Sequence, residues 1–212
     1  MTAQIPDTYR YKSKVYEIVA MTNPIGFDPR NYGLEPHSSC TACWRGYWCE
    51  YAIKYGKLIM ERLLLYNQDG NYPDFNGVHV SPQEYKEIEY RESFDEGEKL
   101  KKKTIPDNWG HRTYNVNMKM DYTGKIVLGK GFLDEFYIHM GFQRPWAYKE
   151  LKEFDFKDGK LISVTDHSAF TEELREKIRK DPEGFDHTLR RTIPTFIDES
   201  FSLDAAIKAW WI

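Results

Sequence analysis

A ten-residue phrase occurs twice in this chain, at positions 50–59 and 153–162, and it strongly limits what the chain can fold into. The first copy reads EYAIKYGKLI and the second reads EFDFKDGKLI. In each copy a strand-like run leads to a turn with glycine, and a second apolar run follows. This order predicts a β-hairpin with its turn at Gly56 in the first copy and at Gly159 in the second.

The similarity of the two copies raises the question of an internal duplication. They are identical at six of ten positions, which is consistent with two related hairpin units at about residues 40–66 and 139–165 within a single domain of residues 1–212. The competing interpretation is that a glycine turn between two apolar strands recurs because hairpins require it. The similarity also fades beyond Ile59 and Ile162, so both interpretations stay open.

Strand-like patterns continue along most of the chain. Tyr9–Met21 predicts a first strand, and Phe132–Met140 predicts a later one. Asn115–Tyr122 alternates, which places one set of side chains on the inner face of a strand: Val116, Met118, Met120 and Tyr122. The segment Asp95–Lys103 has acidic residues followed by basic ones, which predicts a solvated surface connection.

Helical spacing begins only after residue 168. Thr171–Lys180 predicts an amphipathic helix with Thr171 as its N-cap and Ser168 as part of the start signal. A second apolar stripe predicts a short C-terminal helix and contains Leu203, Ile207, Trp210 and Trp211. Strands first and helices last predict a mainly β (α+β) fold, an antiparallel barrel or sandwich with C-terminal helices.

Charge and apolar content bear on the partners. The net charge is only −3, so there is no electrostatic reason to expect a nucleic acid. No apolar run is long enough to span a bilayer, and no secretory signal is visible. With three cysteines and no sign of export, we expect a cytoplasmic protein with reduced thiols, no membrane partner and no cofactor. The oligomeric state is not determined by the sequence.

All three cysteines fall within ten residues, which makes them a candidate metal site. With His37, the residues Cys40, Cys43 and Cys49 provide four ligands of the types that zinc prefers. However, a second C-x2-C pair is missing, and the segment after Cys43 looks like the start of a packed strand. The interpretation that we favour is therefore no metal, with the cysteines acting as small buried apolar residues.

Two segments rich in arginine and tryptophan are the candidate ligand site, and each precedes one copy of the phrase. The residues concerned are His139, Gln143, Arg144, Trp146 and Tyr148 in one segment and Trp44 and Arg45 in the other. A guanidinium group can bind an anion at two points, and aromatic rings can cover a flat ligand. The alternative is that each arginine stacks on a tryptophan and closes one end of the core.

These patterns lead to three functional hypotheses. The first is a non-enzymatic protein that binds a small planar or anionic ligand near the two arginine–tryptophan segments. The second is a protein–protein interaction protein of the inhibitor or immunity type. The third is an enzyme that uses His139 with scattered acids. The sequence contains no P-loop, zinc-protease or hydrolase motif, which favours the first hypothesis over the third.

Overall fold

The computed structural model describes residues 2–94, 97–139 and 141–181. The predicted helix around Trp210 therefore lies outside the described residues. The regular elements are β1 (Thr8–Tyr11), β2 (Lys14–Met21), β3 (Tyr47–Lys54), β4 (Lys57–Leu65), β5 (Tyr85–Phe94), β6 (Gly97–Pro106), β7 (Arg112–Tyr114), β8 (Met118–Lys119), β9 (Gly124–Phe132), β10 (Tyr148–Lys157), β11 (Lys160–Asp166) and the helix α1 (Ser168–Lys180).

Nine of the eleven strands form one large sheet, which confirms the mainly β prediction with a helix on the C-terminal side. The order is β11-β10-β9-β2-β1-β3-β4-β7, and β8 pairs with β4. The sheet is mixed, because β1 pairs parallel with β3 at Thr8, Tyr9 and Arg10. Its other pairings are antiparallel. The other two strands, β5 and β6, pair only with each other and form a separate two-stranded arm.

Both copies of the phrase form hairpins, as predicted. The turn residues Tyr55 and Gly56 have φ of 53° and 72°, and Asp158 and Gly159 have φ of 48° and 70°. Positive φ at both central residues is the signature of the type I′ turn that suits the twist of paired strands.

The two hairpin turns also contact each other in a symmetric way. The Leu58 amide donates to the Gly159 carbonyl at 2.8 Å, and the Leu161 amide donates to the Gly56 carbonyl at 3.1 Å. These four residues occupy equivalent positions in the two copies, so a local pseudo-twofold axis relates the contacts. The contact joins β11 to β4 through the pair Lys160–Lys57. An origin by duplication stays a prediction.

The large sheet is covered on both faces. Successive residues of β2 and β9 alternate between two apolar clusters, since Ile18 and Ile126 lie in the larger cluster and Val19 and Val127 in the smaller one. The smaller cluster is completed by Leu174 of α1. Helix α1 therefore covers one face. The other face is covered by the segment between β4 and β5, which contributes Phe75, and by the segment between β7 and β9, which contributes Val116, Met120 and Tyr122.

The predicted first strand, Tyr9–Met21, is two strands. Lys12 and Ser13 interrupt it with φ of 47° and 63°, and β1 turns back antiparallel onto β2. This is another tight turn with two left-handed residues, but neither of them is glycine. The sequence signal was missed because lysine and serine are not typical of this turn.

The solvated connection predicted at Asp95–Lys103 is wrong, because Gly97–Pro106 is strand β6. Its ladder to β5 pairs lysines with glutamates, and Lys102 Nζ lies 2.8 Å from Glu87 Oε1. The charge run that looked like a loop therefore belongs to one strand of a charged ribbon, where cross-strand ion pairs offset like-charge repulsion.

Two other predicted strands are mostly irregular. Within Asn115–Tyr122 only Met118–Lys119 pairs as a strand, because Asn117 adopts a φ of 48°. The inner-face prediction nevertheless holds, since Val116, Met120 and Tyr122 are buried. The strand predicted over Phe132–Met140 ends at its first residue, and a 3-10 turn follows at Asp134–Phe136.

Helix α1 begins three residues earlier than predicted. The Ser168 amide donates to the Asp166 carboxylate at 3.0 Å, and the Ser168 hydroxyl accepts from the Leu151 amide at 2.9 Å. Thr171 is not the N-cap, because its hydroxyl donates back to the Ser168 carbonyl at 3.0 Å inside the helix. The start signal therefore lies at Asp166 and Ser168.

Candidate functional site

Arg45, one of the predicted ligand-binding residues, forms an ion pair within the protein. Its guanidinium contacts the carboxylate of Asp7, and the same carboxylate accepts the Cys49 amide at 2.7 Å. The guanidinium also lies 4.9 Å from the centre of the Tyr47 ring. The contacts of Arg45 therefore tie the N-terminal segment to β3 through an ion pair and a tyrosine ring.

The N-terminal segment brings the two arginine–tryptophan segments together. The backbone amide of Gln4 donates to the Gly141 carbonyl at 2.8 Å, and the side-chain oxygen of Gln4 accepts a hydrogen bond from the Trp44 backbone amide at 3.2 Å. The Ile5 amide also donates to the Ala42 carbonyl at 2.8 Å. The N-terminal segment therefore lies between the two arginine–tryptophan segments and bonds to both.

The loop after β9 is braced by Gln143 and stacked by Arg144. The Gln143 amide group both accepts from the Ile138 amide and donates to the Ile138 carbonyl, each at 2.9 Å. The Arg144 guanidinium lies 5.8 Å from the Trp146 ring centre. Both contacts hold the loop in place. The side-chain amide of Gln143 is occupied by the backbone of Ile138.

Trp146 and Tyr148 are anchored to the helix and the sheet. Arg175 of α1 is 1% exposed and donates to the carbonyls of Trp146 at 3.2 Å and Tyr148 at 2.6 Å. The Tyr148 hydroxyl binds the Glu17 carboxylate, and burial together with that carboxylate raises the pKa of Tyr148 above its usual range. The hydroxyl therefore stays protonated and donates.

His139 lies on the surface. It is exposed, and its ring centre is 6.4 Å from that of Tyr137. No carboxylate of the described residues lies within ion-pair or hydrogen-bond distance of its imidazole. An acid–base pair at His139, which the enzyme hypothesis requires, therefore has no geometric support in this part of the chain.

The cavity beside the loop after β9 is very small. A cavity of about 10 Å³ is lined by Gln4, Pro6, Glu17, Ile18, Val19, Phe142, Gln143 and Tyr148. One water molecule needs about 10–15 Å³, and ligand pockets usually exceed about 300 Å³. The cavity has room for a single water at most. Ligand binding by the predicted residues stays a prediction, and a ligand there would have to lie on the surface.

The four candidate metal ligands are divided between separate contacts. The Cys43 thiol lies 3.6 Å from Nε2 of His111, a residue that sequence reasoning missed, while Cys49 lies beside the ion pair of Asp7. His37 accepts the Gln68 amide through Nδ1 at 3.4 Å. Within the described residues no group of three such side chains is arranged to hold a metal ion.

A larger concave site lies elsewhere, at the turn between β1 and β2. This groove, which we call the Lys/Tyr groove, has a volume of about 400 Å³. It is lined by Tyr11, Lys12, Lys14, Tyr16, Glu150, Lys152 and Val164. Its size lies within the range of small-molecule pockets, although it is open to solvent.

Charge in the Lys/Tyr groove is predominantly positive. Lys14 Nζ lies 3.2 Å from Glu150, and Lys152 pairs with Asp166. The Lys152 hydrogen bond is the main reason that the pKa of Asp166 falls to about 2. Lys12 stands apart, because its ammonium lies 5.2 Å from the Tyr11 ring centre and no described carboxylate lies within ion-pair distance.

The aromatic residues of the groove are held in place by the fold. The Tyr11 ring packs edge-on against Phe154 with centres 4.8 Å apart. The Tyr16 hydroxyl donates to Glu150 at 3.1 Å, and Lys130 lies 6.0 Å from the Tyr16 ring centre. Burial, followed by the Glu150 contact, raises the pKa of Tyr16 to about 12.

Sequence reasoning missed this groove because its residues come from four strands. Tyr11, Lys14 and Tyr16 are near each other in the sequence because they flank the β1–β2 turn. Lys152 and Val164 belong to the hairpin of β10 and β11, which lies on the far side of β9 from β2, so only the assembled sheet brings them to the groove.

No family model, curated protein or solved structure matches this chain. No helix of the described residues has the length and apolarity needed to cross a membrane.

Proposed function

We propose that this protein is a non-enzymatic binding protein for a small anionic ligand that carries a flat apolar group, and that the Lys/Tyr groove is its site. The ligand class is the one that the sequence predicts, and the location differs. The observation that carries the proposal is a groove of about 400 Å³ in which Lys12 has no carboxylate partner among the described residues.

Anion binding follows from the balance of charge. Lys12, Lys14 and Lys152 line the groove, against the carboxylate of Glu150 and that of Asp166, which pairs with Lys152. An anion would be attracted by Lys12 first, because Lys14 and Lys152 are already paired. A phosphate or carboxylate accepts several hydrogen bonds from ammonium groups, and such charge-assisted bonds are stronger than neutral ones.

The flat part of the ligand has an apolar surface to lie on. Val164 is 38% exposed at the edge of the groove, and the Tyr11 ring is only partly buried. A ring that covers Val164 and part of Tyr11 would remove apolar area from water, while its charged group reaches Lys12.

The β1–β2 turn supplies a second argument. Lys12 and Ser13 both have positive φ, which costs a residue with a side chain about 1–2 kcal/mol. Glycine or asparagine would form the same turn more cheaply. Strained residues are frequent at ligand sites, and here the strained residue is the lysine that lacks a carboxylate partner.

The experiment is calorimetric titration with phenyl phosphate, compared with inorganic phosphate and with phenol. We expect phenyl phosphate to bind more tightly than either of the others. Lys12→Gln should weaken binding on the order of tenfold, equivalent to about 1.4 kcal/mol. Lys119→Gln is the matched control, because Lys119 is an exposed strand lysine that does not line the groove.

The location is tested by amide chemical-shift changes in the same titration. Changes centred on Lys12, Tyr16 and Lys152 support the groove. Changes centred on Arg144 and Trp146 would return the ligand to the loop that the sequence predicts. Equal binding by wild type and Lys12→Gln would contradict the proposal.

A protein–protein interaction function is the second candidate, and the arm of β5 and β6 favours it. One face of the arm carries Ile88, Tyr90 and Ile105 together with Lys86, Lys101 and Lys103, and Lys86 pairs with Asp107 at the base of the arm. Such a face suits an acidic protein surface. We expect salt-sensitive binding of polyglutamate that is lost in Lys103→Glu and kept in Lys12→Gln.

We also infer a reducing compartment such as the cytoplasm. Cys40, Cys43 and Cys49 are all free thiols in the structure. Reduced cysteines are typical of cytosolic proteins. The inference would be contradicted by cell fractionation that finds the natural protein outside the cytoplasm.

A further inference from the structure

We propose that Cys40 and Cys43 form a reversible disulfide by exchange with a small disulfide such as oxidised glutathione, with His111 as a positioning residue that orients the Cys43 thiol. The inference is independent of the Lys/Tyr groove. It rests on the pairing of the two cysteines, on their unequal exposure and on the position of the His111 imidazole.

The backbone already holds the two cysteines at a suitable separation. Cys40 and Cys43 form an isolated antiparallel bridge, and the Cys43 amide donates to the Cys40 carbonyl at 3.0 Å. Residues opposite each other in antiparallel pairs have Cα atoms about 4.5–5.5 Å apart. Disulfides span Cα separations of about 4.4–6.8 Å, so closure needs little movement of the chain.

Both side chains point to the same place. Cys43 belongs to a buried cluster with Trp48 and Leu64, and Cys40 packs against that cluster. Residues opposite each other in a bridge place their side chains on one face. Cys49, the third cysteine, lies in the larger apolar cluster and is excluded from this pair.

The unequal exposure of the thiols determines the order of steps. Cys40 is partly exposed, whereas Cys43 is 2% exposed. Burial raises the pKa of the Cys43 thiol to about 11, so Cys43 is not the thiol that meets the reagent. The Cys40 thiolate attacks one sulfur of oxidised glutathione, the glutathione S–S bond breaks, and one glutathione thiolate leaves.

Cys43 then completes the reaction. Its sulfur attacks the Cys40 sulfur of the mixed disulfide, the Cys40–glutathione bond breaks, and a second glutathione thiolate leaves. The Cys43 proton goes to the departing glutathione thiolate, while His111 Nε2, 3.6 Å from the sulfur, accepts the hydrogen bond of the Cys43 thiol and orients it. The sum is protein dithiol plus oxidised glutathione giving protein disulfide plus two molecules of reduced glutathione.

His111 is oriented for this role. Its Nδ1 lies 2.8 Å from the Asn108 carbonyl, so Nδ1 carries the hydrogen and Nε2 presents a lone pair to Cys43. Burial lowers the pKa of His111 to about 4, which keeps the imidazole neutral and able to accept a hydrogen bond from the Cys43 thiol. The Ser39 hydroxyl, 3.5 Å from Nε2, is the other polar group at this nitrogen.

The disulfide would be read out by Trp48. The Trp48 ring centre lies 4.4 Å from that of His111, and Trp48 packs in the same cluster as Cys43. A disulfide formed here would therefore quench the fluorescence of this tryptophan. The turn of residues 40–43 that holds the two cysteines also contacts the N-terminal segment, because the Ala42 carbonyl accepts a hydrogen bond from the Ile5 amide at 2.8 Å.

The test is equilibration of the folded protein with mixtures of oxidised and reduced glutathione, followed by acid quenching, alkylation after unfolding and intact mass measurement. We expect wild type to lose two alkylatable thiols as the oxidised fraction rises and to regain them on reduction. Peptide mapping should join Cys40 to Cys43. Cys49→Ala is the matched control and should behave as wild type.

Three variants separate the steps. Cys43→Ala should stop at the mixed disulfide of Cys40 with glutathione, and Cys40→Ser should gain neither modification. His111→Gln should accumulate the same mixed disulfide and close it more slowly than wild type. If this variant fails to fold, the ratio of mixed disulfide to closed disulfide in wild type over time supplies the same comparison.

Three results would overturn the proposal. One is wild type that keeps three alkylatable thiols across all mixtures. Another is wild type that stops at a stable mixed disulfide on Cys40. The third is a disulfide that includes Cys49 in the folded protein.

Discussion

The turns at Gly56 and Gly159 allow a sharp test of how tertiary contacts change the effect of one substitution. The sequence predicts the same sensitivity at both positions, because both copies of the phrase place glycine after the same lysine spacing. The backbone supports that expectation, with φ of 72° at Gly56 and 70° at Gly159. The surroundings of the two glycines nevertheless differ.

A methyl group at Gly56 would meet nothing within 4 Å, whereas at Gly159 it would lie 2.3 Å from the carbonyl oxygen of Met120. Ordinary contact begins near 3.4 Å, so the Met120 backbone would have to move by about 1 Å. That movement would strain two hydrogen bonds, from the Met120 amide to the Leu58 carbonyl at 3.0 Å and from the Gly159 amide to the Tyr122 carbonyl at 2.8 Å.

The magnitudes follow from these contacts. For Gly56→Ala, the left-handed conformation costs about 1–2 kcal/mol, and the lower entropy of the unfolded chain offsets about 0.4–1 kcal/mol. The net loss is about 1 kcal/mol. For Gly159→Ala, the overlap adds about 1–3 kcal/mol. We therefore expect a total loss of about 2–4 kcal/mol at Gly159.

The assay is urea unfolding of wild type and of both alanine variants, followed by thermal melts. For a chain of this size 1 kcal/mol corresponds to about 2–4 °C in Tm. Gly56→Ala should lower Tm by a few degrees, and Gly159→Ala should lower it at least about twice as far. Equal losses at the two positions would refute the reasoning, because they would show that the Met120 carbonyl yields at no cost.

The remaining predictions concern the arm, one histidine and two arginines. Replacing residues 86–105 with two glycines should leave Tm within about 2 °C of wild type, because β5 and β6 pair only with each other and isolated hairpins add little stability. A large fall in Tm would show that the arm supports the main sheet. In the folded protein the pKa of His111 is lowered from 6.5 to about 4. As the pH falls, this histidine is therefore protonated in the unfolded chain first, and the free energy of unfolding should decrease between about pH 6.5 and 4 by on the order of 3 kcal/mol. An NMR titration of folded His111 near 6.5 would contradict this. Arg45→Ala should lower the free energy of unfolding in urea by about 2–3 kcal/mol, because it leaves Asp7 without its cation. Arg144→Ala removes a stacking contact and should lower it by about 0.5–1 kcal/mol. The reverse order would show that Arg144 is the more structural of the two.

The hairpins, the late helix and the inner faces of the strands were predictable from local patterns. Gly56 and Gly159 mark turns because the chain must adopt positive φ there. The failures have local causes that the pattern hides. Asn117 breaks an otherwise alternating strand through its left-handed φ, and the charge run that includes Lys102 is stabilised by glutamates on a neighbouring strand.

The candidate site was less predictable than the fold. Arg45 has the residue type of an anion site, yet its charge is balanced by Asp7, 38 positions away in the chain. Lys12 gave no motif, yet it is the groove lysine without a described carboxylate partner. Whether a charged side chain binds a ligand depends on which charges the fold brings beside it, and spacing along the chain does not report that.

By itself the sequence determined the two glycine-turn hairpins and a helix after the strands, because turn chemistry and apolar periodicity act over a few residues. The tertiary structure alone decided that β1 pairs parallel with β3, that the two hairpin turns bond to each other and that His111 lies against Cys43. Each of these contacts joins residues far apart in the chain. Their energy comes from burial and hydrogen bonds that exist only once the whole sheet has assembled, so no local pattern carries their signal.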